Sequence, residues 1–203
     1  MATATPTPTR PPVFNLPNQL TASRFVLALV LFVLIAFEDF WLECTLVFAA
    51  AAATDWLDGY LARKKGITST LGRILDPLVD KILIGGAYIF LLQVKDSGLV
   101  PWMVTVVIAR ELVITSLRSF LENQGATFGA DWLGKIKMGL QCAALFAVFI
   151  FLYVKGLDVS EGRERFFAMA RTGLLYAMLG ATVMSGLQYL WKATLLLKVE
   201  GRW

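Results

Sequence analysis

Six apolar stretches, each about long enough to cross a lipid bilayer, constrain the fold of this chain more than any other feature of its sequence. They fall at residues 20–37, 42–62, 77–94, 99–121, 134–154 and 173–197. A helix needs about 20 residues to cross a hydrocarbon core of about 30 Å, and each backbone amide inside lipid must find its partner within its own segment. The sequence therefore predicts an all-α polytopic membrane protein with six transmembrane helices.

The composition agrees with this prediction and narrows the chemistry. Of the 203 residues, 57% are hydrophobic and 17% are charged, against about 45–50% and about 25% in an ordinary soluble domain. The chain contains no histidine, which excludes His-based triads and HExxH zinc sites, and its two cysteines, Cys44 and Cys142, are too few for a disulfide framework. Any chemistry must come from carboxylates, hydroxyls, amides, Lys and Arg.

The start of the chain differs in character from the rest. Residues 1–12 alternate Thr, Ala and Pro, a composition that cannot bury enough surface to fold and predicts a disordered tail. Residues 13–203 are predicted to form a single membrane domain. Within it, residues 13–24 mix polar and apolar side chains, and they are interpreted either as a short interfacial segment or as the start of the first span.

Basic residues beside the spans predict the orientation, since cytoplasmic loops carry an excess of Lys and Arg. The first connection contains acidic residues and no Lys or Arg, whereas the second is basic. The second connection and both termini are therefore predicted to be cytoplasmic. Six spans place a charged loop, residues 155–171, outside, although it contains four basic residues: Lys155, Arg163, Arg165 and Arg171.

Two pairs of aspartates interrupt neighbouring apolar stretches. Asp55 and Asp58 are three residues apart at the end of the second span, and Asp76 and Asp80 are four apart at the start of the third. Residues at these spacings share a helix face, and the short polar connection predicts that the two helices are antiparallel neighbours. The four carboxylates are therefore predicted to meet in one small volume.

Such a cluster is unfavourable in a membrane unless positive charge accompanies it. An acidic residue at the centre of a span costs about 2.5–3.5 kcal/mol on insertion scales, and neighbouring carboxylates raise one another's pKa values. One or two divalent cations would offset both effects. Oxygen ligands without His or thiolate favour Mg²⁺, Mn²⁺ or Ca²⁺ over zinc.

Single residues of this cluster also admit structural interpretations. Asp76 before Pro77 is a good N-cap followed by the first helical position, and Asp80 could form an ion pair with the lysine that follows it. Asp55 and Asp58 admit no comparable explanation, because aromatic and aliphatic residues surround them. A structural role for all four together is therefore disfavoured.

The spacing of the motif is that of a known family. Asp55-x2-Asp58-Gly59-x2-Ala62-Arg63-x8-Gly72-x3-Asp76-x3-Asp80 resembles, without departure, the signature of the CDP-alcohol phosphotransferase family. Three further segments, NLPNQLTASR, IARELVITSLR and LGKIKMGLQ (residues 15–24, 108–118 and 133–141), resemble the bacterial phosphatidylglycerophosphate synthases within that family. The resemblance covers most of the chain apart from the tail and residues 155–171.

This resemblance implies a six-span enzyme that transfers the phosphatidyl group of CDP-diacylglycerol to an alcohol and releases CMP, with a pair of Mg²⁺ or Mn²⁺ ions. It implies that Asp55, Asp58 and Asp76 are metal ligands, and that Asp80 is both a ligand and the general base. Contacts with CDP-diacylglycerol are implied for seven residues: Asn18, Thr21, Gly59, Ala62, Arg63, Ser69 and Gly72.

A group of basic residues indicates which alcohol is the acceptor: Arg110, Arg118, Lys135 and Lys137. Ionised groups inside apolar runs usually face the protein interior, and such a group suits an acceptor that already carries phosphate, which is glycerol 3-phosphate in the resembling synthases. The alternative is that Arg110 pairs with Glu111 and the others anchor the interface. Because adjacent helix positions diverge by about 100°, this pair is not favoured.

Other functions stay open at this point. Another member of the family could use inositol phosphate, serine or phosphatidylglycerol as acceptor, and a divalent-cation transporter or a non-catalytic lipid-binding protein could also contain such carboxylates. The remaining expectations are a location in the bacterial inner membrane with the active site facing the cytoplasm, association as a homodimer, and no nucleic-acid partner, since the net charge is only +4.

Overall fold

In a computed structural model of the protein, residues 16–65, 70–123, 132–157 and 159–199 are described. The predicted disordered tail, residues 1–12, lies outside them. The described residues form six helices and no strands. In chain order the helices are α1 (Leu16–Phe37), α2 (Trp41–Lys65), α3 (Thr70–Leu91), α4 (Pro101–Asn123), α5 (Trp132–Gly156) and α6 (Glu161–Val199).

The all-α prediction is confirmed, and the number of membrane spans is confirmed in part. Three helices contain described segments that are long and apolar enough to cross a membrane: Gln19–Phe37 of α1, Trp132–Gly156 of α5 and Glu161–Leu195 of α6. The other three, α2, α3 and α4, have 25, 22 and 23 residues. These lengths suit a bilayer, and the three helices stay predicted spans.

The helices pack around a common apolar core. α1 contacts α2 and α3, α5 contacts α2 and α6, and α4 contacts α6 and α3. Large side chains with almost no accessible surface fill the centre: Leu31, Phe48, Tyr88, Leu145, Phe149 and Leu175. The outer faces are apolar as well, with exposed side chains such as Val33 and Trp191. Apolar side chains over so much of the surface suit a lipid environment.

α1 begins at Leu16 and continues without interruption to Phe37. Residues 16–24 therefore form the first turns of the helix that continues into the first span, and a position of these turns in the membrane interface stays a prediction. Residues 13–15 lie outside the described part of the chain. The continuity of α1 carries Thr21 and Arg24, both of them buried, into the packed interior.

α3 begins at Thr70, before the predicted start of the third span, and runs through Pro77. The interpretation of Asp76 as an N-cap is therefore wrong, because Asp76 lies inside a continuous helix. A proline in a helix interior removes one backbone hydrogen bond and costs about 3 kcal/mol. Packing against α1, α4 and α5 outweighs that cost, so the role of Asp76 lies elsewhere than in capping.

α6 begins at Glu161, so most of residues 155–171 are helical. The prediction that these residues form a loop is therefore wrong. Glu161 and Glu164 lie in the first turn, where negative charge is favourable, and Glu161 pairs with Arg165 one turn later at 3.2 Å. The backbone carbonyl of Ser160 accepts a hydrogen bond from the N–H of Glu164. These local features favour a helix in spite of the high charge.

A polar cluster joins three elements at the end of the molecule that is predicted to be outside. The Asp96 carboxylate, between α3 and α4, pairs with the Lys155 ammonium of α5, and the Asp96 backbone carbonyl accepts a hydrogen bond from Arg171 of α6. The Arg171 guanidinium also lies over the Phe151 ring, 4.2 Å from its centroid. Two of the four basic residues that depart from the positive-inside rule are thus held by local partners.

Asp96→Asn tests the electrostatic part of this cluster. The hydrogen bond from Lys155 lowers the pKa of the Asp96 carboxyl. The resulting stabilisation is full above the unfolded-state pKa of about 3.9, and it disappears as the pH falls through the lower folded-state pKa. Asn keeps the shape of the side chain and tolerates the φ of 64° at this position. We therefore expect a slightly lower melting temperature than wild type at neutral pH in detergent, and no difference in strong acid.

The matched control is Asp39→Asn, which removes an exposed carboxylate between α1 and α2. It should leave the melting temperature unchanged at both pH values. If Asp96→Asn melted with the wild type at neutral pH, the pair with Lys155 would contribute nothing to the stability of the fold.

Candidate active site

A buried arginine joins three helices at the aspartate motif. Arg24 of α1 is 1% exposed, and its Nη1 atom lies 3.0 Å from Oδ1 of Asp55 on α2 and 2.8 Å from Oδ1 of Asp80 on α3. A guanidinium stays charged in proteins, and a buried charge needs partners of opposite sign. The two carboxylates supply them, so α2 and α3 converge on one guanidinium nitrogen of α1.

One turn earlier, α1 makes a second contact with the motif. Thr21 is buried, and its hydroxyl donates a hydrogen bond to Oδ1 of Asp76 on α3. Thr21 and Arg24 are three residues apart, and Asp76 and Asp80 are four apart, so each pair lies on one face of its helix. The two faces meet, with Thr21 opposite Asp76 and Arg24 opposite Asp80, which fixes the register of α1 against α3.

The carboxylates suit a hard divalent cation in their chemistry. Asp55, Asp76 and Asp80 offer oxygen donors, which Mg²⁺ and Mn²⁺ prefer, and all three contact the same face of α1. In the described part of the chain, no three Asp, Glu, His or Cys side chains are grouped closely enough to hold an ion by themselves. The fourth predicted ligand, Asp58, lies in α2, and its side chain is not among those described.

Of the residues predicted to contact CDP-diacylglycerol, only Thr21 has a described side chain. Its hydroxyl contacts Asp76, which places it beside the predicted metal ligands. The other six predictions fall on side chains outside the described set: Asn18 in α1, Gly59, Ala62 and Arg63 in α2, Gly72 in α3, and Ser69 between α2 and α3. They stay predictions.

Two of the predicted acceptor residues, Arg110 and Lys137, form a network around Glu111 of α4. Oε1 of Glu111 accepts a hydrogen bond from the ammonium of Lys137, a buried residue of α5, and another from Nη1 of Arg110 at 3.2 Å. The expectation that Arg110 and Glu111 do not pair is therefore wrong. Adjacent Cβ atoms point in different directions, but the long guanidinium side chain reaches back to its neighbour's carboxylate.

Two further basic residues are positioned by hydroxyl groups. The ammonium of Lys81, the residue after Asp80, lies 2.5 Å from Oγ1 of Thr115 on α4. Nε of Arg118 donates a hydrogen bond of 3.1 Å to the hydroxyl of Tyr189 on α6, and the guanidinium also lies over the Tyr189 ring, 5.5 Å from its centroid. Hydroxyl partners orient these two cations without neutralising their charge, so both can still attract an anion.

Two cavities adjoin these residues. The first, here called the polar cavity, has a volume of about 470 Å³ between α3, α4, α5 and α6, and Arg110, Arg118 and Lys135 are among its lining residues. The second, the apolar cavity, has about 550 Å³ between α3, α4 and α5, and its mostly aliphatic walls include Asp80 and Lys137. The structure therefore brings three of the four predicted acceptor residues together, whereas Lys137 lines the neighbouring cavity.

The two cavities share part of their walls. Four residues line both: Pro77, Lys81, Glu111 and Met138. Because Asp80 lines the apolar cavity and the two cavities share a wall, the polar cavity lies beside the carboxylate cluster. An anionic molecule in the polar cavity would thus be next to whatever the aspartates bind.

Three residues that contribute to the site were not singled out by the motif: Arg24, Lys81 and Tyr189. Arg24 could have been found from sequence, because an ionisable residue within an apolar stretch of a membrane protein is by itself an indication of function. Lys81, within the third apolar stretch, gives the same indication, whereas Tyr189 gives none. Their positions in the site depend on how α3 and α6 pack against α4, which no local pattern records.

Arg24→Met should destabilise the protein, because it removes the cation that Asp55 and Asp80 share. Breaking a buried ion pair from one side costs about 3–5 kcal/mol. Since both carboxylates are partly exposed, we expect a smaller loss of ~2 kcal/mol in EDTA, measured by unfolding in detergent. Added Mg²⁺ should raise the melting temperature of Arg24→Met more than that of the wild type, since it would supply the missing positive charge.

Arg24→Lys is the matched control for this experiment. It keeps the charge and loses only the planar donor geometry, so it should be more stable than Arg24→Met in EDTA and should respond less to Mg²⁺. Equal stability of Arg24→Met and wild type in EDTA would show that the shared ion pair does not hold the three helices together.

Comparison with known proteins agrees with the family resemblance that the sequence shows. The family model for CDP-alcohol phosphatidyltransferase matches residues 14–197. The chain is 37% identical over 153 residues to a CDP-diacylglycerol–glycerol-3-phosphate 3-phosphatidyltransferase of Bacillus subtilis, covering 68% of this chain and 78% of the relative. It is 37% identical over 141 residues to the protein of the same name from Pectobacterium atrosepticum, covering 66% and 76%.

A plant relative extends the similarity over more of the chain. The chloroplastic and mitochondrial CDP-diacylglycerol–glycerol-3-phosphate 3-phosphatidyltransferase 1 of Arabidopsis thaliana is 34% identical over 195 residues, which are 89% of this chain and 63% of the relative. The range of the family model, residues 14–197, contains all four motif aspartates. These findings confirm the resemblance noted in the sequence. The chain belongs to the CDP-alcohol phosphatidyltransferase family.

Proposed function

We propose that this enzyme transfers the phosphatidyl group of CDP-diacylglycerol to glycerol 3-phosphate, giving phosphatidylglycerophosphate and CMP. The observation that supports this most directly is the adjacency of two sites of opposite charge. The aspartate cluster of α2 and α3, which Arg24 of α1 joins, adjoins a cavity lined by Arg110, Arg118 and Lys135. The names of the relatives from Bacillus, Pectobacterium and Arabidopsis give the same donor and acceptor.

The donor side of the reaction requires that a diphosphate be held beside carboxylates. We assign Asp55, Asp58, Asp76 and Asp80 as ligands of two divalent cations, Mg²⁺ or Mn²⁺, which when bound would neutralise the diphosphate and stabilise the leaving CMP. Arg24 keeps Asp55 and Asp80 together from within the fold, and Thr21 orients Asp76. The chain's own contacts thus preorganise the ligands before any ion binds.

The remaining donor contacts follow the motif. We assign the binding of the nucleotide and diphosphate to residues around the α2–α3 connection and the start of α1: Asn18, Thr21, Gly59, Ala62, Arg63, Ser69 and Gly72. Arg63 can bind a phosphate bidentately, and the two motif glycines and Ala62 allow close approach of a ligand to the backbone.

We assign Asp80 as the general base. Arg24 donates a hydrogen bond to its Oδ1 atom, so Oδ2 is the oxygen that would accept the proton of the acceptor hydroxyl. As the proton moves to Asp80, the hydroxyl oxygen attacks the phosphorus attached to diacylglycerol. The bond between that phosphorus and the bridging diphosphate oxygen breaks, CMP leaves, and Asp80 later returns the proton to water. A single in-line displacement needs no covalent intermediate on the protein.

We place the acceptor's phosphate in the polar cavity, against Arg110, Arg118 and Lys135. Arg118 is oriented there by Tyr189, while Lys137, the fourth predicted residue, pairs with Glu111 and holds the network in place. A cavity rich in cations favours acceptors that carry phosphate over serine. Membership of the family disfavours the cation-transporter alternative.

The arrangement of the helices and the distribution of basic residues support one orientation of the site in the membrane. Arg24, Asp55, Asp80 and Tyr189 all belong to the half of the bundle where α2 ends and α3 begins. The basic residues of the predicted second connection fall in these helix ends: Arg63, Lys64, Lys65 and Arg73. We therefore propose that the active site faces the cytoplasm, in the inner membrane of a bacterium. Association as a homodimer stays a prediction from the family resemblance.

Asp80→Asn should lower kcat by about 10²–10⁴-fold, the usual contribution of a general base. Purified protein in detergent with Mg²⁺, CDP-diacylglycerol and glycerol 3-phosphate would be assayed for CMP release, and binding of CDP-diacylglycerol would be measured separately. The binding should change far less than kcat. Asp96→Asn, at the opposite end of the bundle, should turn over normally. Normal turnover by Asp80→Asn would remove Asp80 as the base.

Arg118→Met should raise the KM for glycerol 3-phosphate by about ten- to a hundredfold, since a hydrogen bond to a charged group contributes about 1.5–3 kcal/mol. The KM for CDP-diacylglycerol should stay the same. Arg165→Met, which changes a highly exposed arginine near the start of α6, should alter neither constant. Equal CMP release with inositol phosphate in place of glycerol 3-phosphate would contradict the acceptor assignment.

A further inference from the structure

We propose that Gln188 on α6 determines acceptor specificity by accepting a hydrogen bond from a hydroxyl group of the acceptor that is not the attacking one. The proposal rests on the proposed function and assigns a residue outside both the aspartate motif and the basic group. For a glycerol phosphate whose primary hydroxyl attacks phosphorus, the recognised group is the secondary hydroxyl.

The first observation is an unsatisfied acceptor atom. Oε1 of Gln188 is buried and has no hydrogen-bond partner among the residues that the structure describes, and Gln188 lines the polar cavity. Leaving a buried polar atom without a partner is unfavourable, and native structures contain few such atoms. A carbonyl oxygen in this position can be satisfied by a donor, and a hydroxyl of a bound molecule is one.

The second observation is an unsatisfied donor in the same cavity. Nε of Arg110 is buried and likewise has no hydrogen-bond partner among the described residues. Arg110 packs closely on α6, because a Cβ added at Gly186 would lie 3.3 Å from Arg110 Cγ, and Arg110 and Gln188 line the same cavity. One cavity therefore offers a cationic donor and a neutral acceptor, and a molecule that combines an anionic oxygen with a hydroxyl group satisfies both.

The charge of the cavity agrees with such a molecule. Its charged lining residues are four cations, Lys81, Arg110, Arg118 and Lys135, and two carboxylates, Glu111 and Glu122. The net charge of +2 that follows matches a phosphate monoester dianion. The Oε1 atom of Gln188 can only accept a hydrogen bond, so it cannot bind a phosphate dianion, which has no donor, but it can bind a hydroxyl group of the acceptor.

A buried amide oxygen without a hydrogen-bond partner lowers the stability of the free protein, and binding of a hydroxyl group would offset that cost. Strain and unsatisfied groups of this kind tend to lie at functional sites. A purely structural glutamine would behave in the opposite way, since its carbonyl would be bonded within the fold and its loss would destabilise the protein. Stability and specificity therefore distinguish the two roles.

The experiment compares two acceptors that differ only in the secondary hydroxyl: glycerol 3-phosphate and 3-hydroxypropyl phosphate. We expect the wild type to prefer glycerol 3-phosphate by about tenfold or more in kcat/KM, as sites built to bind a hydroxyl do. Gln188→Met, which has similar volume and no polar oxygen, should bring the two values close together. The change should come from slower use of glycerol 3-phosphate, with 3-hydroxypropyl phosphate little affected.

Gln188→Glu is the matched control. It keeps a carbonyl-type oxygen acceptor and adds a negative charge, so it should raise the KM for both acceptors through repulsion of phosphate and still prefer glycerol 3-phosphate. The melting temperature of Gln188→Met without substrate should equal or exceed that of the wild type. A clearly lower melting temperature would show that the Gln188 oxygen is bonded within the fold and would overturn the proposal.

The outcomes separate this inference from the proposed function. Wild-type protein that releases no CMP with either acceptor would contradict the proposed function. Wild-type protein that is active, with a preference for glycerol 3-phosphate that Gln188→Met leaves unchanged, would contradict the role of Gln188 alone. Loss of the preference in Gln188→Met with retained stability is the result we expect.

Discussion

The pairing of one buried guanidinium with two carboxylates underlies the rest of the structure. Arg24 is almost fully buried, and Asp55 and Asp80 both contact its Nη1 atom. Because a buried charge without partners is strongly unfavourable, this arrangement requires α1, α2 and α3 to meet at one depth and in one register. The neighbouring contact from Thr21 to Asp76 repeats the constraint one turn away. An interaction that holds the fold together therefore also gathers the residues that we assign to catalysis.

Charge in the interior of this bundle is distributed in a way that suits a transfer between two charged substrates. The carboxylates lie on α2 and α3, whereas the basic residues of the polar cavity lie on α3, α4 and α5. Pro77 and Lys81 of α3 line both the polar cavity and the apolar cavity, whose wall includes Asp80. Glu111 holds Lys137 and Arg110, while Arg118 and Lys81 have hydroxyl partners. Cations that are oriented but not neutralised suit the binding of the acceptor phosphate that we propose.

Several sequence-based expectations differ from the structure for identifiable physical reasons. Asp before Pro favours a helix start, yet α3 runs through Pro77 because it packs against three other helices. Residues 155–171 are charged enough to suggest a loop, yet most of them extend α6, which the Glu161–Arg165 pair and the acidic first turn favour. Adjacent helix positions point apart, yet the Arg110 side chain is long enough to reach Glu111. In each case, side-chain length, a local ion pair or helix packing outweighs a preference that was inferred from neighbours in sequence.

The sequence by itself determined the helical class, the six helices, the spacing of the four aspartates and the family. These properties depend on hydrophobic length and on residue spacing within one helix or one connection, which are local and can be read directly. Only the tertiary structure decided that Arg24 joins Asp55 to Asp80, that Lys137 pairs with Glu111 and does not line the polar cavity, and that Gln188 of α6 lines the same cavity as Arg110. The ion pairs join residues that are 26 to 56 positions apart, and Arg110 and Gln188 are 78 positions apart. These arrangements are set by how whole helices pack, for which no single stretch of sequence contains a pattern.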